Sequence, residues 1–443
     1  MAATDVAAGA LSDAEHRQQL RRALIASTVG TTIEWYDFLL YGTVSALVFG
    51  PIFFPKSDPL MGVLESFSIF FIGFVGRPIG AAIFGHWGDR IGRKATLIAT
   101  LLITGIATFA VGCVPTYSSI GLWGAVALTV IRLIQGIGVG GEWGGSVLLA
   151  MEWARTTKNR GFLSAWPQFG APCGLFLANC AVLGFSWLSG DQFNVWGWRI
   201  PFFLSAIMVV VGMWIRLGIS ETPVFQKVVA EERVERVPVL QVLRRQPKQV
   251  ILSALLRMPE QAPGYIVGAF IFTYATTVLH QTRDFVLMAV ITQTVLGFLW
   301  VVFAGALSDK VGRKNMFIAG CIFMGVFGFV YFAMLDTGIP WVIFLAISVS
   351  LLPVMTQYGP EAALIAESFS PRLRYSGTSI GYQLASIIAG GPSPIIATWL
   401  FATFHSSLPI AIYIALCAVI GIVSTAMLTD YTGKEISAEY AGV

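Results

Sequence analysis

The sequence predicts an all-α membrane protein of twelve transmembrane helices, arranged as two six-helix pseudo-repeats. Three observations predict this class. First, only 12% of the 443 residues are charged and 56% are hydrophobic, with a mean hydropathy of +0.74. Soluble domains carry about 25% charged residues, so this chain has too few to cover a soluble core of its size. Second, apolar runs of about 20 residues recur from end to end, each long enough to cross about 30 Å of hydrocarbon. They are continuous rather than alternating, which excludes a closed β-barrel. Third, motifs of the first half recur in the second.

The elements follow in order. Residues 1–22 are polar, without the apolar core of a cleaved signal peptide, and are expected to be a cytoplasmic N-terminus. The first bundle covers 23–218, with runs at 23–49, 61–86, 95–115, 122–152, 161–188 and 199–218. Residues 219–249 are charged, contain Pro238 and Pro247, and read as a cytoplasmic linker between halves. The second bundle covers 250–430, with runs at 250–279, 285–307, 315–335, 340–367, 376–404 and 408–429. Residues 431–443 are expected to form a cytoplasmic C-terminus.

Orientation follows from Lys and Arg in the loops. With the N-terminus inside, inner segments carry clusters such as Arg90, Arg93 and Lys94, or Lys310, Arg313 and Lys314, while outer loops hold Lys56 and Arg283. The asymmetry is about tenfold. The net charge of +4 therefore reports topology and not nucleic-acid binding. Five cysteines fall in or near apolar runs and none of the four histidines is spaced as a ligand pair, so no disulfide framework and no metal site are expected.

"GHWGDRIGRK" covers 85–94 and "GALSDKVGRK" covers 305–314, each between the second and third run of its half. Glu152 ends the fourth run before "NRG", and Glu367 ends the tenth before "LRYSG". Duplicated six-helix units place a substrate near the membrane midplane, between the halves. The charged motif residues are candidates for a conformational gate: Asp89, Arg90, Arg93 and Glu152 in one half, Asp309, Arg313 and Glu367 in the other. Arg93 is expected to pair with Glu152, Arg313 with Glu367, and Asp89 to accept bonds at a neighbouring helix terminus. Helix-turn stability and topology are the plainer reading.

Charges inside the runs are costly, about 2.5–3.5 kcal/mol each on insertion scales. In "GTTIEWYDFLLYG", Glu34 and Asp37 stand mid-run, three residues apart on one helix face. They are candidates for proton coupling with Arg132, and they are expected to face a water-accessible cavity between the halves. The alternative is a structural pair neutralised by Arg77, Arg132 or Arg257. A mid-membrane arginine such as Arg132 also matches a substrate carboxylate. In "LLRMPEQAPGYIVG", Arg257 and Glu260 repeat the same-face pattern, and Pro259 and Pro263 interrupt the helix, as in the broken helices that line transporter cavities. Candidates for substrate binding are Arg77, Arg132, Arg257, Glu260, Tyr265, Gln357, Tyr358 and Tyr382; the polar ones among them equally suit interhelical bonds worth about 0.6 kcal/mol. Glu142, among small residues, reads as structural. The glycines of 138–145 follow no strand and lack the lysine of a phosphate loop, so ATP use is not expected.

The motif at 85–94 resembles the loop signature of the major facilitator superfamily, and "RLIQG" at 132–136 its proton-coupled members. "EWYDF", "GRPIGA" at 76–81, "QGIGVGGEWGG" at 135–145 and "WGWRIPF" at 196–202 resemble the metabolite:proton symporter family. "QYGPEAALIAESF" and "RLRYSGTSIGYQLAS" are most similar to its shikimate-transporter branch. The resemblance spans nearly the whole chain. It implies the major facilitator fold, alternating access, and proton-driven uptake of a small metabolite by a monomer in the cytoplasmic (inner) membrane, with no cofactor and no enzymatic activity. The paired prolines of the seventh run depart from the family pattern. An exporter exchanging for protons, a proline/betaine importer and a non-transporting sensor are the other readings.

Overall fold

The computed structural model describes residues 13–91, 93–152, 159–218, 238–370 and 373–434, without the side chains of residues 13, 14, 16, 88–91, 93, 152 and 238. The described residues are helical with short connections and contain no strand. The first half holds α1 (Arg17–Phe53), α2 (Pro59–Trp87), α3 (Lys94–Cys113), α4 (Trp123–Met151), α5 (Arg160–Gln192) and α6 (Gly197–Leu217). After a short amphipathic helix, Pro238–Arg245, the seventh run forms α7 in pieces: Pro247–Leu256, Met258–Tyr265, Ile266–Phe270, Ile271–Thr273 and Tyr274–Val278. Then follow α8 (Arg283–Val311), α9 (Arg313–Leu335), α10 (Pro340–Glu367), α11 (Arg374–Phe404) and α12 (Leu408–Ala426).

Each apolar run thus becomes one crossing, and bulky side chains such as Trp214, Leu188 and Trp123 stay exposed on the outside, where lipid solvates them. The elements differ from the sequence reading in two places. Helix begins at Asp13, ahead of the first apolar run, and part of the expected linker is helical. The break in α7 falls at Arg257, between two helical pieces. Pro259 has no N–H for the carbonyl of Leu255 one turn back, so the helix breaks just before it and restarts with Pro259 in its first turn, while Pro263 lies inside the second piece. Beyond them α7 widens into π-helical turns, as do Ser45–Phe49 of α1 and Ser386–Gly390 of α11. Such turns concentrate at functional positions.

Within the first half, α1 packs on α5, α2 on α4 and α3 on α6; within the second, α7 packs on α11, α8 on α10 and α9 on α12. The α2–α4 crossing is possible because glycine backbones touch. A Cβ at Gly80 would overlap the carbonyl of Ile137, and one at Gly136 the carbonyl of Gly73. The halves meet through α5 against α8 and α2 against α11, contacts that a six-helix shift interchanges. At the end where the described chain begins and finishes, which is also the basic end, the halves are closed on each other. At the opposite end a vestibule of about 780 Å³ opens between the α1–α2, α5–α6 and α7–α8 connections. A separate cavity of about 60 Å³ lies at mid-depth between α1, α5, α7 and α10. Between the two, the π turn of α1 packs against Ile271–Thr273 of α7.

Candidate functional site

The mid-depth cavity is lined by Trp35 and Leu39 of α1, Leu175 of α5, Glu260, Gln261 and Tyr265 of α7, and Met355 and Tyr358 of α10, among others. The break in α7 positions the three polar groups of that helix. Glu260 is the one charged side chain of the lining. The Oε1 of Gln261 and the hydroxyl of Tyr265 are buried without a hydrogen-bond partner. Phe70 and Phe74 of α2 pack edge-on against Tyr265, closing the cavity on that side.

Behind Glu260 lies Arg257, fully buried, with a hydrogen bond from each of its three nitrogens. Its Nε donates to Glu361 Oε1 at 2.5 Å, its Nη1 to the carbonyl of Tyr382 at 2.7 Å, and its Nη2 to Glu260 Oε2 at 3.0 Å. Its guanidinium also lies 3.2 Å from the centroid of the Tyr382 ring, which stacks on Trp143 of α4 at 3.5 Å. Trp143 donates to Gln168, which donates to the carbonyl of Tyr358, and the Tyr358 and Tyr382 hydroxyls lie 3.2 Å apart. This layer crosses between the halves and floors the cavity toward the basic end. Gln357, also expected near substrate, instead donates to the carbonyls of Gly320 and Pro353 and faces α9.

The charges of the first half are arranged differently from expectation. Trp35 and Leu39 hold the cavity face of α1, so Glu34 and Asp37 turn into the first bundle. Both are buried, 3% and 0% exposed. Neither oxygen of Asp37 has a hydrogen-bond partner, nor does Oε2 of Glu34. Among the described residues no cation stands within ion-pair distance of either: Arg257 is committed to α7 and α10, and Arg77 and Arg132 pack on rings instead. Arg77 lies 3.9 Å from the centroid of Phe38, and Arg132 lies 3.8 Å from the same ring. Arg132 also donates to Gln135 and to the carbonyl of Phe38. The acid that is paired is Glu142, with Arg216 of α6, which also donates to the carbonyl of Leu97. Arg216 was missed in the sequence because it lies at the end of a run, where an arginine reads as a topology signal.

At the basic end, Asp309 caps α5 across the interface, accepting from the N–H groups of Gly161 and Phe162 at 2.9 Å each. Arg313 donates to Glu367 at 2.5 Å and to Asp309 at 3.1 Å, and Arg160 reaches Glu367 at 3.5 Å. The matching side chains Asp89, Arg90, Arg93 and Glu152 lie outside the described residues. Gly85, just before them, approaches Tyr375 and Ser376 at the start of α11.

The pattern of the sugar (and other) transporter family matches residues 22–251, and that of the MFS/sugar transport protein family residues 145–409. The chain is 38% identical to the inner membrane metabolite transport protein YhjE of Escherichia coli, over 94% of this chain and 95% of that protein. It is 37% identical to the shikimate transporter of Escherichia coli, over 93% and 94%. It is 30% identical to the proline/betaine transporter of Salmonella typhimurium, over 94% and 85%. Among solved structures, the proton:xylose symporter XylE bound to 6-bromo-6-deoxy-D-glucose superposes with a TM-score of 0.74 at 19% identity, over 95% and 98% of the chains. Relatives and structural neighbours are transporters, so the chain is a membrane transporter and not an enzyme. With two six-helix halves, a cavity between them and this kinship, the chain belongs to the metabolite:proton symporter family of the major facilitator superfamily.

Proposed function

We propose that the protein is a proton-coupled symporter that imports a small organic acid by alternating access, as a monomer and without a cofactor. The observation that carries this reading is the pair Glu34 and Asp37, two carboxylates buried in a cavity-lining helix with no cation at ion-pair distance among the described residues. An unpaired buried carboxylate is expensive, and a proton removes the charge. The basic end is cytoplasmic by the asymmetry of Lys and Arg, and the described chain begins and finishes there. The vestibule then faces outward, and the closed basic end is the inner gate. Solute enters from the vestibule when the π turns of α1 and α7 part, and it reaches the polar wall of α7 and α10. Proton and solute together favour opening of the inner gate; either alone shifts the equilibrium too little.

A second reading, import of a zwitterion such as proline or glycine betaine, is favoured by the cavity lining. Trp35, Tyr265 and Tyr358 line it beside one carboxylate, the residue types that hold an ammonium group.

The test is proton entry into proteoliposomes that hold the purified protein and an internal pH dye. Shikimate, 2-oxoglutarate, citrate, proline and glycine betaine are added one at a time, with Glu34→Gln and Asp37→Asn proteins as controls. Acidification by one solute, absent in both controls, is expected. Full acidification by both variants overturns the proton site. Solute movement only against a proton gradient of the opposite sign makes the protein an exporter.

A further inference from the structure

Arg257 is the one arginine whose hydrogen bonds reach the cavity wall, and they reach it through Glu260 alone. Its Nη1 is taken by a backbone carbonyl and its Nε by Glu361, which is away from the cavity. Glu260 stands between Nη2 and the cavity like a plug. Two carboxylates on one guanidinium also leave this cluster with one negative charge more than it can balance. Beside the plug, Gln261 Oε1 and the Tyr265 hydroxyl are buried with unused hydrogen-bonding capacity. A carboxylate entering here meets two donors that it satisfies, Arg257 Nη2–H and the Tyr265 hydroxyl, provided that Glu260 yields, while Gln261 Oε1 is left to accept from an N–H or O–H elsewhere on the solute.

We propose that Arg257 is the anchor for a carboxylate of the transported solute, and that Glu260 holds this place until it takes a proton. This deepens the symport reading and rests on it. Before loading, Arg257 Nη2–H donates to Glu260 Oε2. A proton from the vestibule water bonds to the Glu260 carboxylate, and the ion pair breaks. Nη2–H then donates to the solute carboxylate, and protonated Glu260 is free to donate to that carboxylate in turn. No charge is created, because the arriving anion and the arriving proton enter together. When the inner gate opens, loss of the proton returns Glu260 to Arg257 and expels the solute. Glu361 keeps the guanidinium in position throughout.

The groups that face Glu260 are known from every side. Arg257 and Tyr265 come from α7, Tyr358 and Glu361 from α10, Tyr382 from α11 and Arg77 from α2. From α9 and α12 come thiols, Cys321 near Glu361 and Cys417 beside Ala262. None of these other than Glu361 offers a second carboxylate to exchange, which makes Glu361→Gln the discriminating control.

Binding of the five radiolabelled solutes named above, each of which carries a carboxylate, is measured on the full-length purified protein at mildly acidic and mildly alkaline pH. For the wild type, affinity should fall toward about tenfold per pH unit on the alkaline side, the limit for one linked proton. Glu260→Gln should bind at both pH values with no slope and should exchange solute across vesicles without acidifying them. Glu361→Gln should bind more weakly but retain the slope. The wild-type protein gives a second readout, a protonated-carboxyl infrared band that appears on solute binding; it should persist in Glu361→Gln. A slope retained in Glu260→Gln, a slope lost in Glu361→Gln alone, or failure of all five solutes to bind overturns the proposal. Normal acidification by Glu260→Gln vesicles, with none by Glu34→Gln, overturns it while leaving the symport reading intact. Wild-type binding with a slope but without acidification overturns the symport reading instead.

Discussion

Asp309 spans the two halves with one side chain, so Asp309→Asn weakens the inner gate directly. Its two oxygens accept from the N–H groups of Gly161 and Phe162 in the first turn of α5 at 2.9 Å each, and the carboxylate is 8% exposed. Bonds of this kind, to a charged acceptor, contribute about 1.5–3 kcal/mol each, and a negative charge at a helix N-terminus adds about 0.3–1 kcal/mol. Asparagine keeps one acceptor oxygen and turns an amide N–H toward the second donor. The net loss is about 2 kcal/mol, on the order of thirtyfold in the open–closed equilibrium. A minor population of about 1% with the basic end open would then rise to about a quarter. Within the second half the Arg313–Asp309 ion pair is weakened as well, but Arg313 keeps Glu367, so folding should change little.

The assay is double electron–electron resonance between spin labels at Asn159→Cys and Lys310→Cys, in a background with the native cysteines replaced. Both positions are exposed, and the Asn159 side chain makes no cap bond. A longer-distance population should appear in Asp309→Asn and be absent from the parent. Identical distance distributions, with equal thermal stability, would show that the cap does not hold the gate.

Other outcomes follow from the same contacts. Glu142→Gln strands Arg216 in the first bundle and should lower stability by about 3–5 kcal/mol, read as thermal unfolding in detergent, while adding Arg216→Met recovers part of it; equal melting of all three proteins would refute a structural role for the pair. Gly80→Val should prevent stable insertion, because the added carbons meet the Ile137 backbone rather than a movable side chain, whereas Gly184→Ala, with nothing within 4 Å, should be stable or gain up to about 1 kcal/mol. Membrane yield and gel-filtration profile separate the two, and a well-folded Gly80→Val would show that α2 and α4 separate easily. Trp143→Ala removes a stacked ring worth about 0.5–1.5 kcal/mol across the halves, so the same spin-label pair should report more open molecules.

The twelve crossings, the duplication and the broken seventh helix were legible because each is written in local chemistry: apolar length, a charged motif found twice, and two prolines. The pairing of Arg313 with Glu367 was legible for the same reason, since the motif brings each to a loop at the same end. The direction of Glu34 and Asp37 was not. Their spacing fixes that they share a face, but α1 is apolar on every other side, and nothing in its own sequence says which face meets the cavity. That choice is made by Trp35 and Leu39 packing toward α5 and α7, residues more than a hundred positions away. Arg216 was hidden for a related reason: its partner Glu142 lies on another helix, and the register between α4 and α6 is set by side-chain packing around both.

The two halves have different centres among the described residues, and this difference bears on how protons drive the cycle. In the second half every buried charge belongs to a network: Arg257 binds Glu260 and Glu361, and Arg313 binds Asp309 and Glu367. Among the described residues of the first half, three buried acids and three buried arginines would balance, yet one pair has formed, between Glu142 and Arg216. Arg77 and Arg132 rest on Phe38 instead of on Glu34 and Asp37. Four unpaired charges in a low-dielectric bundle are stable only if some are neutralised or if the arrangement changes during the cycle. Phe38, fully buried in α1 next to Asp37 and in contact with both guanidiniums, is the ring that holds these arginines. Replacing it with leucine should therefore allow Arg–carboxylate pairs to form permanently. Phe38→Leu is expected to fold, to bind solute, and to lose uphill uptake while keeping exchange; uphill uptake at the wild-type rate would refute the idea that the ring keeps these charges apart for coupling.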